Sequence, residues 1–119
     1  MARVSLIATL LDSPSLDGAD LAALPESVEW LEVRADRVGD IDPEWLRNHF
    51  KGRLLYALRS QAEGGQYSDS TPERHRRLET AAAHYDRVEL ESSRDLSTDL
   101  LARIAPEKRC VSWHGAACD

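Results

Sequence analysis

Glu32 and Arg34 stand two residues apart near the carboxyl end of the run Val28-Glu29-Trp30-Leu31-Glu32-Val33-Arg34-Ala35-Asp36. Side chains alternate between the faces of a strand, so a strand here places Glu32 and Arg34 on one face and Leu31, Val33 and Ala35 on the other. Two readings follow. The pair either braces neighbouring strands as a buried ion pair or belongs to a site, and two charges turned into an interior each cost several kcal/mol unless strongly paired. The pattern recurs: Leu54-Leu55-Tyr56-Ala57-Leu58 ends in Arg59, and Cys110-Val111-Ser112-Trp113 ends in His114. Apolar strands whose last residue is charged or titratable point to one shared site at their carboxyl ends.

The elements that position these residues are regularly punctuated. Strands are expected near Arg3–Leu11, Val28–Ala35, Arg53–Arg59, Tyr85–Glu91 and Arg109–His114, with starts roughly 25 to 30 residues apart, the length of one strand-plus-helix unit. Asp42 before Pro43 forms an N-cap with a first-turn proline, and Trp45, Leu46 and Phe50 supply the apolar stripe of the helix that follows. Thr71-Pro72 repeats the signal before a helix over Glu73–Ala83. Ser97 opens another with Leu100, Leu101 and Ile104, and a first helix falls around Leu16–Leu24. The run Arg74-His75-Arg76-Arg77 reads as a solvated helix face, and His49, His75 and His84 as surface residues on helices.

Strands alternating with helices through crossovers this short are parallel, in an open doubly wound sheet or a closed barrel. Both architectures bind ligands at the carboxyl ends of their strands. No Gly-x-Gly-x-x-Gly or Walker loop follows any strand, and polar residues end several successive strands instead of gathering at one switch point. The expectation is therefore an α/β chain of the (β/α)8 TIM-barrel class, here a partial barrel over residues 1–119 with about five parallel strands and four helices.

Composition narrows the function. The chain of 119 residues has 42% hydrophobic and 30% charged residues, ordinary for a soluble globular domain. A formal net charge of -6 argues against nucleic acid and against an anionic membrane surface as partners, while leaving its arginines free to bind a small anion. No apolar run approaches the roughly 20 residues of a membrane span, and the amino end reads as a first strand, not a signal peptide. Cys110 and Cys118 fit neither a zinc spacing nor Cys-x-x-Cys, so a cytoplasmic location is expected, with no metal.

The sequence resembles the type I 3-dehydroquinate dehydratases of the shikimate pathway. The resemblance rests on four pieces in order: Glu32-Val33-Arg34-Ala35-Asp36, Arg59-Ser60-Gln61-Ala62-Glu63-Gly64-Gly65, Val88-Glu89-Leu90-Glu91 and Val111-Ser112-Trp113-His114. It implies a carbon–oxygen lyase converting 3-dehydroquinate to 3-dehydroshikimate and water through a Schiff base to lysine, with no organic cofactor. It further implies that His114 is the general base, Glu63 the acid beside it, and Glu32, Arg34, Arg59 and Ser5 contacts to the substrate. An imidazole suits that role because its ordinary pKa, about 6.5, lets it accept and then return a proton near neutrality.

On the residues alone, other readings stand beside these. Arg59 is equally a salt-bridge partner of Glu32 or Glu91, Glu63 a solvated loop acid, Gly64-Gly65 a tight turn and His114 a satisfied core histidine. The family's Schiff-base lysine lies on a sixth strand. The two lysines of this sequence, Lys51 and Lys108, precede the third and fifth strands and so belong at the opposite end of the sheet. Two expectations follow: the 119-residue chain forms no Schiff base by itself, and it associates as a homodimer or with a complementing chain. The rival is a non-catalytic half-barrel that binds a ligand or a second subunit.

Overall fold

A computed structural model describes residues 5–11 and 18–113. Five strands, β1 (Leu6–Leu10), β2 (Val28–Arg34), β3 (Arg53–Ala57), β4 (Arg87–Glu91) and β5 (Arg109–Ser112), form one open sheet in which all neighbours are parallel and spatial order equals chain order. Five helices join them: α1 (Gly18–Ala22), α2 (Ala35–Val38), α3 (Pro43–His49), α4 (Thr71–Ala82) and α5 (Thr98–Arg103). Because the order never reverses, right-handed crossovers carry every helix to the same side. A doubly wound sheet, with its central switch point, is thereby excluded among the described residues.

Burial follows that geometry. Leu31 and Val33 of β2, Leu54 and Tyr56 of β3, and Val88 and Leu90 of β4 all point to the helix layer, where they pack with Leu46, Leu78, Leu100 and Ile104. The alternate positions Thr9, Glu32, Arg59, Glu89 and Ser112 hydrogen-bond or pair with one another on the opposite, helix-free face. Side-chain alternation thus sorts apolar residues outward to the helices and charged ones onto the open face.

Helix starts are set by local hydrogen bonds. The Asp42 carboxylate accepts from the Glu44 amide at 3.0 Å, Ser70 Oγ from Glu73 at 3.3 Å and Ser97 Oγ from Leu100 at 3.2 Å. The α4 cap is therefore Ser70 and not Thr71, with Pro72 inside the first turn where its missing amide costs nothing.

Three sequence expectations need correction. The helices number five, because residues 35–38 leave the strand and turn as α2. The Asp36 carboxylate draws the chain round by accepting from Arg34 and from the Arg59 and Gln66 amides. Arg74 is no solvated residue: it is 0% exposed, since it lies one turn before Leu78 on the core-facing stripe of α4. His75 and His49 are half-buried, the first with Nε2 3.3 Å from Asp95 and the second with Nδ1 2.9 Å from the Trp45 carbonyl oxygen; His84 is exposed as expected but lies in the turn after α4 and not on a helix.

Candidate functional site

Three adjacent strands bring charge together at the carboxyl end of the open face. Glu32 extends from β2, and its Oε1 accepts from Thr9 Oγ of β1 at 3.0 Å. Arg59 follows β3 by two residues and holds its guanidinium between two carboxylates, 3.9 Å from Glu32 and 3.6 Å from Glu89 of β4. Glu89 in turn accepts from Ser112 Oγ of β5 at 2.8 Å. A chain of side chains therefore crosses all five strands.

Arg59 is under-used within this chain of contacts. Both ion pairs exceed hydrogen-bond distance, and its buried Nε has no hydrogen-bond partner among the described residues. A buried donor left unmade costs about 1–3 kcal/mol, so such a group is retained where a ligand or water completes it.

Arg34 behaves differently. Its guanidinium meets Asp36 in a two-pronged contact of 2.8 Å at each oxygen, and this pair, against the opposing cost of burial, holds Arg34 above its ordinary pKa with Glu32 and Glu89 adding attraction. Burial alone would raise the Asp36 carboxyl, but the Arg34 hydrogen bond and the Gln66 and Arg59 amides outweigh it and leave its pKa lowered. Asp36 is thus the anchor that ties β2 to the loop after β3. Its spacing of two from Arg34 was the available signal, obscured because Ala35-Asp36 continues a strand-like composition.

The loop carrying Glu63 is built by its glycines. Residues 61–63 form a single 3-10 turn closed by Gly64 at φ 87°, and the Gly65 amide donates to the Ser60 carbonyl at 2.8 Å. A side chain at Gly65 would overlap the Arg59 carbonyl oxygen, so Gly65 is required by close approach and Gly64 by its left-handed backbone. Glu63 is buried, not a solvated loop acid, and its Oε2 accepts from Ser93 Oγ at 2.6 Å.

Beneath this loop lies a second ionic cluster. Arg74 grips Asp95 at 2.9 and 2.7 Å, donates to the Leu58 carbonyl and stands 3.4 Å from Glu91. Glu91 accepts from the Ser60 amide at 2.9 Å, and Asp95 from the Glu91 amide at 2.7 Å. Glu91 is therefore committed to Arg74, and the carboxylates facing Arg59 are Glu32 and Glu89.

The remaining sequence candidates separate. Ser5 is exposed ahead of β1, at the amino end of the sheet, and is not brought to the cluster. His114 lies outside the described residues, as do its contacts with Glu63 or Arg59, and Cys118 as well. The opposite end of the open face is floored by Trp30, stacked between the guanidinium groups of Arg53 at 4.9 Å and Arg87 at 5.3 Å. Among the described residues no group of three or more His, Cys, Asp or Glu is placed to hold a metal ion. Nor is any helix long and apolar enough to cross a membrane.

Comparison with known proteins adds names to this geometry. Proteins named 3-dehydroquinate dehydratase in Coxiella burnetii strains CbuK_Q154, Dugway 5J108-111 and RSA 493 are each 27% identical to the chain over 99 residues. These are distant relatives. The match covers 81% of this chain and 37% of each relative, so the chain spans little more than a third of their length. No family model matches the sequence.

Proposed function

We propose that these 119 residues form the amino-terminal portion of a (β/α)8 barrel that acts as a type I 3-dehydroquinate dehydratase. The observation that carries this reading is the Arg59 guanidinium, set between Glu32 and Glu89 at the carboxyl ends of parallel strands with a buried donor still open. A cyclic polyol acid such as 3-dehydroquinate presents hydroxyls and a ketone that suit such a floor, with Glu32 accepting from a hydroxyl and Arg59 donating to one. The single-sided helix layer and unreversed strand order support the barrel.

The chemistry then proceeds in three stages. A lysine amine condenses with the substrate ketone, releasing water; His114 removes a proton from the adjacent carbon; and the protonated imidazole helps expel the neighbouring hydroxyl as water before the imine is hydrolysed. Glu63, on the loop after β3, supports the charged imidazole.

Neither lysine of the chain fits the first stage. Lys51 precedes β3, and Lys108 precedes β5 with its Nζ donating to the Tyr85 carbonyl at 2.7 Å, so both stand at the amino ends of the strands. The amine comes from further β/α units. Borohydride reduction of the 119-residue chain with 3-dehydroquinate is expected to leave Lys51 and Lys108 unmodified, while titration followed by NMR perturbs the Arg59, Glu32 and Glu89 signals. Adduct formation on either lysine, or perturbation confined to the helix face, overturns the reading.

A further inference from the structure

We propose that Ser93 is a positioning residue for Glu63, holding that carboxylate in one orientation at the carboxyl ends of the strands. The proposal rests on the role given above to Glu63, the acid that supports the His114 imidazole.

The contact joins two turns that follow different strands. Glu63 ends the 3-10 turn after β3 and is 7% exposed, and its Oε2 accepts from Ser93 Oγ at 2.6 Å. A hydroxyl donating to a carboxylate over that distance makes a charge-assisted bond, stronger than one between neutral groups. Fixing one oxygen also fixes the plane of the carboxylate, and with it the direction of Oε1. Glutamate is a flexible side chain, so orienting it needs a donor that is itself held still.

Ser93 is held in that way. It stands in the turn of residues 92–95 that follows β4, and three elements tie that turn down. The Ser92 amide donates to the Ser112 carbonyl of β5 at 2.8 Å. The Arg94 and Asp95 amides donate to the Glu91 carbonyl of β4 at 3.1 and 2.9 Å, and Asp95 Oδ2 accepts from the Glu91 amide at 2.7 Å. From α4, Thr71 Oγ1 accepts from Arg94 at 3.0 Å, and Arg74 grips the same Asp95 at 2.9 and 2.7 Å. The buried ionic cluster thus does more than brace the fold: it presents the Ser93 hydroxyl at a fixed place beside the Glu63 turn.

Ser93 is exposed, whereas the acid it contacts is buried. Removing Oγ from an exposed serine opens no cavity and should disturb the fold little. Its effect on the carboxylate is direct, because a hydrogen bond to the ionised form favours that form. Ionised Glu63 is the state that supports a protonated imidazole.

The test is NMR titration of the Glu63 carboxyl and the His114 imidazole in the 119-residue chain, with urea denaturation alongside. Ser93→Ala is expected to move the Glu63 midpoint up by about one pH unit and the His114 midpoint down, with the urea midpoint little changed, and Ser93→Thr, which keeps the hydroxyl, should restore both. Arg59, Arg74, Glu89 and Glu91, the charged groups at the neighbouring strand ends, are the same in each variant, so the shift reports the hydroxyl. An unchanged Glu63 midpoint in Ser93→Ala, or a shift that Ser93→Thr does not restore, overturns the proposal, and the dehydratase reading stands beside that failure if Glu63→Gln still lowers the His114 midpoint. A urea midpoint that collapses in Ser93→Ala marks the contact as structural and overturns the proposal as well. A Glu63 midpoint that moves while His114 responds to neither Ser93→Ala nor Glu63→Gln supports the hold of Ser93 on Glu63 and removes instead the partnership of Glu63 with His114.

Discussion

Arg59 and Arg74 are both flanked by two carboxylates at the carboxyl ends of the strands, yet their surroundings differ in kind. Arg74 is wholly enclosed, and a two-pronged contact with Asp95 plus the Leu58 carbonyl gives each of its three nitrogens a hydrogen-bond partner. Arg59 keeps a buried Nε without a hydrogen-bond partner and touches Glu32 and Glu89 only through long contacts. A guanidinium with every nitrogen hydrogen-bonded internally stabilises the fold; one that keeps a buried nitrogen open at a strand end is arranged for something else. Charge alone does not separate them; burial and the hydrogen bonds made by the guanidinium nitrogens do.

The strongest way to break this contrast is to remove Arg74. Arg74→Met should destabilise the chain by about 3–5 kcal/mol, because it leaves Asp95 and Glu91 buried without their cation. Urea denaturation checks it, and a loss below about 1 kcal/mol would mean the cluster braces little.

Arg59→Met should give the opposite balance. Its long, partly hydrated ion pairs predict a stability loss of about 1 kcal/mol or less, whereas affinity for 3-dehydroquinate should fall about 10- to 100-fold, the worth of one charged hydrogen bond. Calorimetric titration beside a denaturation curve measures both, and equal damage to fold and binding would erase the distinction.

Asp36 sharpens it further through pH. Its carboxyl pKa is lowered in the folded chain, so it contributes stability that is fully present above its unfolded value of about 3.9 and is lost as pH falls through the lower folded value. The urea midpoint should therefore drop as pH falls below about 4, and Asp36→Asn should flatten that part of the profile. At the small end, the Glu73–Arg76 pair on the exposed face of α4 should count for nothing measurable, and Arg76→Ala is expected to leave the thermal midpoint unchanged.

All five strands were legible because each is a short apolar run bounded by turn residues, and α3, α4 and α5 because each carries a capping residue. The single turn of α2 was not, since its four residues have no periodicity to read and are folded by the contacts of Asp36 with a loop some 30 positions on. Glu32, Arg34 and Arg59 were legible as charged side chains sharing one face at strand ends, but the expected partners of Arg59, Glu32 or Glu91, were half right: Glu89 takes the place of Glu91, because alternation marks a face but not which of its carboxylates a long side chain reaches. Arg74 was misread for a related reason: four consecutive basic residues look solvated, although its spacing from Leu78 and Ala81 places it on the buried stripe.

Strand order that equals chain order also shapes how this molecule is made. Every strand pairs with the one synthesised just before it, so each β/α unit can dock on its predecessor as it leaves the ribosome, without waiting for a distant segment. The loop to be closed at each step is one crossover long, which keeps its entropic cost nearly constant from the first pairing to the last. Growth by accretion of this kind makes each newly formed strand the edge on which the next unit docks, as β2 serves β3 and β3 serves β4.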